Sequence, residues 1–361
     1  MSAEKKLRIG IIGTGGISHC HMNGYLAQKD RVELVACCDL DEEKVKAYAE
    51  KFGFARYYTD CHEMMAKEEL DCVSVCTWNA AHKECTIAAL KGGANVICEK
   101  PMAMNAKEAQ EMIDAANETG KLLQIGFVRR FGDDAKTVMN LKAAGLLGDI
   151  YYAKASYLRR DGCPGGWFAD KAYSGGGPLI DLGVHVIDLV RYLPGCPKPI
   201  SVYGVTYNNL GPDRASGAKA NLGYESKQNS SKFKFDVEDF TSAMIRFDNG
   251  MVLTVEASFN LNIKEDRADI ELFGTKGGTK IGGNTEFFTD MNGTFVNITP
   301  AGGGANFRFT ESFNAEIAHF IDCVEHGVPC RAPAEDGVIL MKMIDAIYKS
   351  AETGHEVEIT Y

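Results

Sequence analysis

The chain has 361 residues, 45% of them hydrophobic and 24% charged, with a formal net charge of −10. That length accommodates two domains, each with a core of its own. The acidic balance and the lack of a long basic run argue against nucleic acid or an anionic membrane surface as the main partner. The opening MSAEKKLRIGIIG is basic and then apolar, but glycine interrupts the apolar run too soon for a signal peptide or a membrane span.

Residues 7–12, 32–38, 72–76, 95–98 and 122–127 read as short apolar strands. Residues 42–52, 80–91 and 107–117 between them carry apolar side chains at helical spacing. Strands alternating with helices predict a parallel, doubly wound sheet. After about residue 150 the strands lengthen and draw together, at 150–158, 201–207, 239–247, 251–259 and 268–273. Asp248-Asn249-Gly250 joins two of them as a hairpin. Ala243, Ile245 and Phe247 with Leu253, Val255 and Ala257 would form its buried face. Helices are expected at 178–193, 312–326 and 335–352. The polar, glycine-rich stretch 208–234 reads equally well as a flap or a solvated excursion.

Twelve cysteines occur without C-x-x-C or any zinc spacing, so no metal is expected. They read as buried, reduced thiols, which points to a cytoplasmic protein.

LRIGIIGTGGIS places Gly13, Gly15 and Ser18 after a strand and at the opening of a helix, the G-x-G-x-x-small pattern of a dinucleotide site. Gly16 and Ile17 complete the loop, and the helix start offers free N–H groups to a pyrophosphate. Asp39, at the end of the second strand, suits the two ribose hydroxyls of NAD and repels the 2′-phosphate of NADP. Leu40 follows where an arginine often serves NADP. The same carboxylate could instead cap the helix starting near Asp41.

VICEKPMAM carries Glu99 and Lys100 just past an apolar strand, with Pro101 ending it. SGGGPLIDLGVHVIDLV sets Asp181 and His185 four apart on a helix that is apolar almost all round. Buried in this way, the pair is either a satisfied core contact or the lining of a cavity.

CEKP, DLGVH and the glycine loop together resemble the glucose–fructose oxidoreductase/inositol dehydrogenase/MocA (Gfo/Idh/MocA) family. CTWNAAH at 76–82, QIGFVRRF at 124–131 and the tail segments EIAHFIDCVEHG and DGVILMKMIDAIYKSAETG extend the resemblance over the whole chain. It implies a Rossmann domain, placed at 1–128, and at 129–361 an α/β domain for substrate binding and oligomerisation with a large open, mostly antiparallel sheet. A homodimer or homotetramer is implied as well.

The resemblance makes Lys100, Asp181 and His185 the catalytic group. It makes Thr77, Asn79, His82, Glu99, Lys100, Gln124 and Trp167 cofactor contacts. His82 also fits the first turn of its helix, and Trp167 fits core packing. Arg159 and Arg160 could reach substrate. Trp78 stands where the family has proline, and Ser18 where it has glycine or alanine. The implied activity is NAD-dependent oxidation of a secondary hydroxyl on a sugar, glycoside or inositol. Two other readings use similar parts: a redox-neutral hydrolase or lyase working through a 3-keto sugar, and a non-catalytic NAD-binding regulator.

Overall fold

A computed structural model describes residues 5–211, 234–301 and 306–361. Most of the 208–234 stretch, and with it the flap reading, lies outside the described residues. The chain forms two compact units, one of residues 1–128 with 309–338, the other of 129–308 with 339–361.

The first unit is built on six parallel strands: β1 (Leu7–Ile12), β2 (Val32–Cys38), β3 (Arg56–Tyr58), β4 (Cys72–Val75), β5 (Asn95–Glu99) and β6 (Leu123–Gly126). Their order is β3-β2-β1-β4-β5-β6, the doubly wound arrangement of a dinucleotide-binding fold. The topology reverses between β1 and β4, where such sheets hold their ligands. β4 and β6 are buried along their whole length, as strands covered on both faces must be. β3 carries no sequence signal of its own because it is three residues long and mostly exposed.

A single cut after residue 128 misplaces the helix Phe309–His326. Its Ile317, Phe320 and Ile321 are buried in one cluster with Ile9, Ile11, Met22 and Tyr25 of the first unit. Gly24, on the helix Ser18–Ala27, allows the approach, since a Cβ there would lie 2.6 Å from Ile317 Cβ. Arg31 closes the edge with ion pairs to Asp322 and Glu325 at 2.7 and 2.6 Å. Each fully buried aliphatic or aromatic side chain contributes roughly 1.5–3 kcal/mol, so this helix is held to the first unit by its own apolar face.

The second unit carries nine strands: β7 (Ile150–Leu158), β8 (Pro199–Tyr207), β9 (Phe240–Phe247), β10 (Val252–Ser258), β11 (Arg267–Gly274), β12 (Gly277–Ile281), β13 (Glu286–Met291), β14 (Thr294–Ile298) and β15 (Val357–Glu358). Their order is β14-β13-β12-β11-β7-β10-β9-β8-β15, antiparallel except where β7 meets β10. Gly250 turns the β9–β10 hairpin at φ +84°. Ile245 pairs with Leu253 and Ala243 with Val255 on the buried face, as their alternation predicts. Ile347 of the helix Ala334–Thr353 lies over this face at Gly204, where a Cβ would come within 2.9 Å of it.

Candidate active site

Gly13 adopts φ +88°, and a Cβ there would sit 2.6 Å from the Cys76 carbonyl, so only glycine fits this turn. Gly15 is the opposite case: a Cβ there would meet nothing within 4 Å, which leaves open space for a ligand to approach its backbone. Ile17 precedes the helix Ser18–Ala27 and provides no side-chain cap, and the His19 and Cys20 N–H groups turn back to Gly16 O and Ile17 O at 3.2 and 2.9 Å. The Ser18 hydroxyl is buried and donates to Gly15 O at 2.6 Å, so it serves the loop's shape.

Asp41, not Asp39, caps the helix Glu42–Phe52, accepting the Lys44 N–H at 3.1 Å. Asp39 turns to the glycine loop instead. Its Oδ2 accepts the Thr14 N–H and hydroxyl, both at 2.8 Å, and the Lys44 ammonium at 2.6 Å. Burial opposes its charge, but Lys44 and Thr14 prevail and hold the carboxyl below its ordinary range. An ionised acid at the end of β2 is the group a ribose diol needs. Lys44 beside it is a cation to which no sequence motif points.

Glu99 does not stand open at the strand mouth. It is buried, and its Oε1 lies 2.9 Å from His21 Nε2 on the helix after the glycine loop. His21 Nδ1 meets Ser74 Oγ at 3.1 Å, and Ser74 Oγ meets the Tyr25 hydroxyl at 2.8 Å. Glu99 Oε2 accepts the Lys100 N–H at 3.1 Å. With a proton on Nε2, one chain of donors from Tyr25 through Ser74 and His21 to Glu99 satisfies every group. Glu99 therefore fixes the backbone that presents Lys100. Gly126 lies against it, where a Cβ would be 3.2 Å from the Glu99 carboxyl. Sequence reasoning misses His21 because a single histidine inside a helix carries no motif.

The Lys100–Pro101 peptide is cis. Pro101 O lies 2.7 Å from His82 Nδ1, and Thr77 O lies 3.2 Å from His82 Nε2. A neutral ring carries a single N–H, so His82 donates to one of these carbonyls, Pro101 O at the shorter distance, while its other nitrogen only lies beside Thr77 O. The ring still packs the 77–79 turn against the CEKP turn. Burial holds its pKa below the ordinary value, despite the two carbonyls. Thr77 and Trp78 are half-buried and Asn79 is buried at the start of the helix Asn79–Lys91. Gln124 is level with Ile97, while Gly126 is level with Glu99. Gln124 is therefore inside β6 and not at its end, and its Oε1 lies 3.5 Å from Cys330 Sγ.

In the second unit, Leu179–Gly183 is a π-helical turn running into the α-helix Val184–Tyr192. The wider turn alters the simple four-residue α-helical alignment of Asp181 and His185; π-turns are frequent at functional sites. Within the stretch 176–191, Asp181 and His185 are the only residues not buried. The Tyr157 ring lies 6.5 Å from the imidazole, centroid to centroid.

Glu238 sets the start of this helix. Its carboxylate accepts the N–H groups of Gly177 and Leu179 at 2.9 and 3.2 Å and the Tyr348 hydroxyl at 2.9 Å. Burial raises its pKa against these donors. The glycine run now has a cause: a Cβ at Gly176 would lie 2.0 Å from the Tyr348 hydroxyl, and one at Gly177 2.1 Å from Glu238 O. Arg130 holds the other end through Asp188, at 2.9 and 2.5 Å, both side chains buried.

The two candidate substrate arginines meet backbone carbonyls, Arg159 within its own loop and Arg160 at the loop that holds Lys264. Arg159 is buried, donates to Gly162 O at 2.8 Å and lies over Tyr157. Arg160 is exposed, and its guanidinium lies 3.4 Å from Lys264 O. Trp167 is half-buried and stacks on Phe168 at 3.9 Å.

A parallel sheet in the 3-2-1-4-5-6 order, a glycine turn that only glycine can make and an ionised Asp39 define an NAD-binding oxidoreductase. The family described as "Oxidoreductase family, NAD-binding Rossmann fold" matches residues 7–127, and the GFO/IDH/MocA C-terminal domain matches 135–280. D-glucoside 3-dehydrogenase of Escherichia coli (strain K12) is 36% identical over 356 residues, covering 98% of this chain and 97% of that protein. Myo-inositol 2-dehydrogenase of Thermotoga maritima is 27% identical over 361 residues, covering 98% of each. The solved structure of levoglucosan dehydrogenase with NADH and L-sorbose superposes with a TM-score of 0.84 at 25% identity, over 99% of each chain. The chain belongs to the Gfo/Idh/MocA family of oxidoreductases.

Proposed function

We propose that this protein oxidises a secondary hydroxyl of a sugar, glycoside or inositol, or reduces the matching ketone, with Lys100, Asp181 and His185 as its catalytic group. The observation that carries the reading is the partial exposure of Asp181 and His185 alone within an otherwise buried helical stretch. An acid and an imidazole kept accessible on an apolar helix are costly for stability and suited to a polyhydroxylated ligand.

Bound NAD supplies the hydride acceptor at its nicotinamide. His185 takes the hydroxyl proton, as an imidazole can near neutral pH. Lys100 holds the same oxygen and stabilises the negative charge that develops there. Asp181 orients the imidazole or accepts a neighbouring hydroxyl. Gly13, Gly15, Gly16, Ile17 and Ser18 receive the pyrophosphate, Asp39 the ribose, and Thr77 and Asn79 the nicotinamide half. Glu99 and His82 act one step back, by fixing the turn that carries Lys100.

Residues 1–128 with 309–338 serve NAD, and the second unit serves substrate and self-association. Tyr203 and Met244, paired across β8 and β9 and each about half exposed, give that sheet an apolar outer face suited to a homo-oligomer. Among the described residues no helix is long and apolar enough to cross a membrane, and all twelve cysteines are free thiols; both fit a cytoplasmic protein.

The test is NADH formation with a panel of D-glucosides, free sugars and inositols. The 36% identity to a D-glucoside 3-dehydrogenase puts glucosides first. Glycosidic cleavage without net NADH would replace this reading with the redox-neutral one. NAD binding with no turnover on any of the three classes would favour the regulator.

A further inference from the structure

The helix Phe309–His326 and the chain returning from it bring three soft donors together. His319 and Cys323 are four apart on one helix face, and His319 Nε2 lies 3.4 Å from Cys323 Sγ. Cys330 comes back from the following loop, and the donor atoms of all three lie within 4.8 Å of one another. On the sheet side Cys330 Sγ is 3.5 Å from Gln124 Oε1. Gln124 is wholly buried, and its Nε2 has no hydrogen-bond partner among the described residues. Backbone geometry holds the assembly, with the Ile125 N–H donating to Ala332 O at 2.9 Å and Gln124 bridged to Pro333.

We propose that His319, Cys323 and Cys330 form a zinc site, with Gln124 Oε1 or a water as fourth donor. Tetrahedral zinc, with bonds of about 2.0–2.3 Å to nitrogen, oxygen and sulfur, separates its donors by roughly 3.3–3.8 Å. The 3.4 Å nitrogen–sulfur and 3.5 Å sulfur–oxygen separations fall in that range. Two sulfurs and an imidazole select zinc over magnesium or calcium.

Binding releases one proton from each thiol to solvent and leaves two thiolates and a neutral imidazole on the metal. His319 Nε2 accepts a backbone N–H, so the lone pair a ligand needs is on that nitrogen. Existing hydrogen bonds must be exchanged, the thiol contacts to His319 and Gln124 among them. His319 Nε2 accepts the Arg331 N–H at 2.9 Å, and zinc would take that lone pair. Arg331 is exposed, so water can accept its N–H instead. A filled site would join the helix Phe309–His326 to β6 within the first unit. The spacing H-x₃-C-x₆-C is not a standard zinc pattern, and the fourth donor lies some two hundred residues away, which is why sequence alone predicts no metal.

The test uses the full chain, reduced and stripped of metal with a chelator, then titrated with cobalt(II). One equivalent should produce thiolate-to-cobalt charge-transfer absorption and the intense visible bands of a tetrahedral site, and zinc should abolish both. Zinc should raise the melting temperature by a few degrees. Cys323→Ser and Cys330→Ser should each remove the spectrum and the zinc-dependent rise. His319→Gln, at a half-buried position, should weaken binding at least about tenfold and leave melting of the stripped protein unchanged; this keeps the proposal testable should a cysteine variant fail to fold. A pale octahedral spectrum, a spectrum that survives in the Cys323→Ser/Cys330→Ser double variant, or a Cys323–Cys330 disulfide forming in the presence of zinc would each overturn the proposal.

Discussion

His21 and Glu99 meet at 2.9 Å inside the core, the imidazole fully buried and the carboxylate 7% exposed. Through that contact the helix that opens the NAD site is tied to the strand end that presents Lys100. Removing one member strands the other without water. His21→Leu should therefore destabilise the protein by about 3 kcal/mol, as for a buried hydrogen-bonded acid that loses its partner. Urea unfolding measures this. A loss under about 1 kcal/mol would mean that Glu99 finds another partner.

Cofactor choice should follow Asp39. Losing a charge-assisted hydrogen bond costs about 1.5–3 kcal/mol, so Asp39→Ala should weaken NAD binding roughly ten- to hundredfold. It also frees Lys44, which then faces the ribose without its carboxylate, so the preference over NADP should narrow. Comparable kcat/KM with NAD and NADP in the unmodified protein would refute the assignment.

Lys100→Met and His185→Ala should each lower kcat by at least about a hundredfold, the usual loss for a positioned proton-transfer group. The double variant should be scarcely slower than the poorer single one if, as proposed, both act on one proton transfer. Asp181→Asn should lose less and vary with substrate. A folded, NAD-binding His185→Ala that turns over near the parent rate would make the helix pair structural.

His82 gives the stability a pH dependence of definite sign. Its folded pKa lies below the ordinary 6.5, so the unfolded chain takes up its proton first as pH falls. This contribution to stability is complete above 6.5 and is lost as the pH drops from there toward the folded pKa. Urea midpoints on either side of 6.5, compared with those of His82→Asn, should show this component in the parent and not in the variant.

Gly177→Ala should be among the most damaging single-methyl changes. The new Cβ would lie 2.1 Å from Glu238 O, a backbone atom that cannot swing aside. A loss at the upper end of about 1–3 kcal/mol is expected from overpacking of this kind. Activity should fall beyond what unfolding explains, since the same residues seat the turn bearing Asp181. Melting curves and kcat on the remaining folded protein separate the two effects.

Much of this protein is determined locally and is legible in sequence. The Rossmann half follows from alternating strand and helix patterns, the glycine loop from a turn no other residue can make, and the β9–β10 hairpin from Asp248-Asn249-Gly250. Those features depend on a few neighbouring residues, and periodicity or turn chemistry reports them directly. Tertiary structure decided what depends on residues far apart in the chain. His21 reaches Glu99 across 78 positions, and Glu238 and Tyr348, 110 apart, jointly explain a glycine run that sequence alone leaves without a cause. The helix Phe309–His326 returns to the first unit because its apolar face finds Ile9, Tyr25 and Met22 there, which linear order cannot show. The π-turn at Asp181 is likewise invisible to a helical wheel. Side-chain hydrogen bonds and close backbone approaches are pairwise and long-range, and a pattern read along the chain contains only one member of each pair.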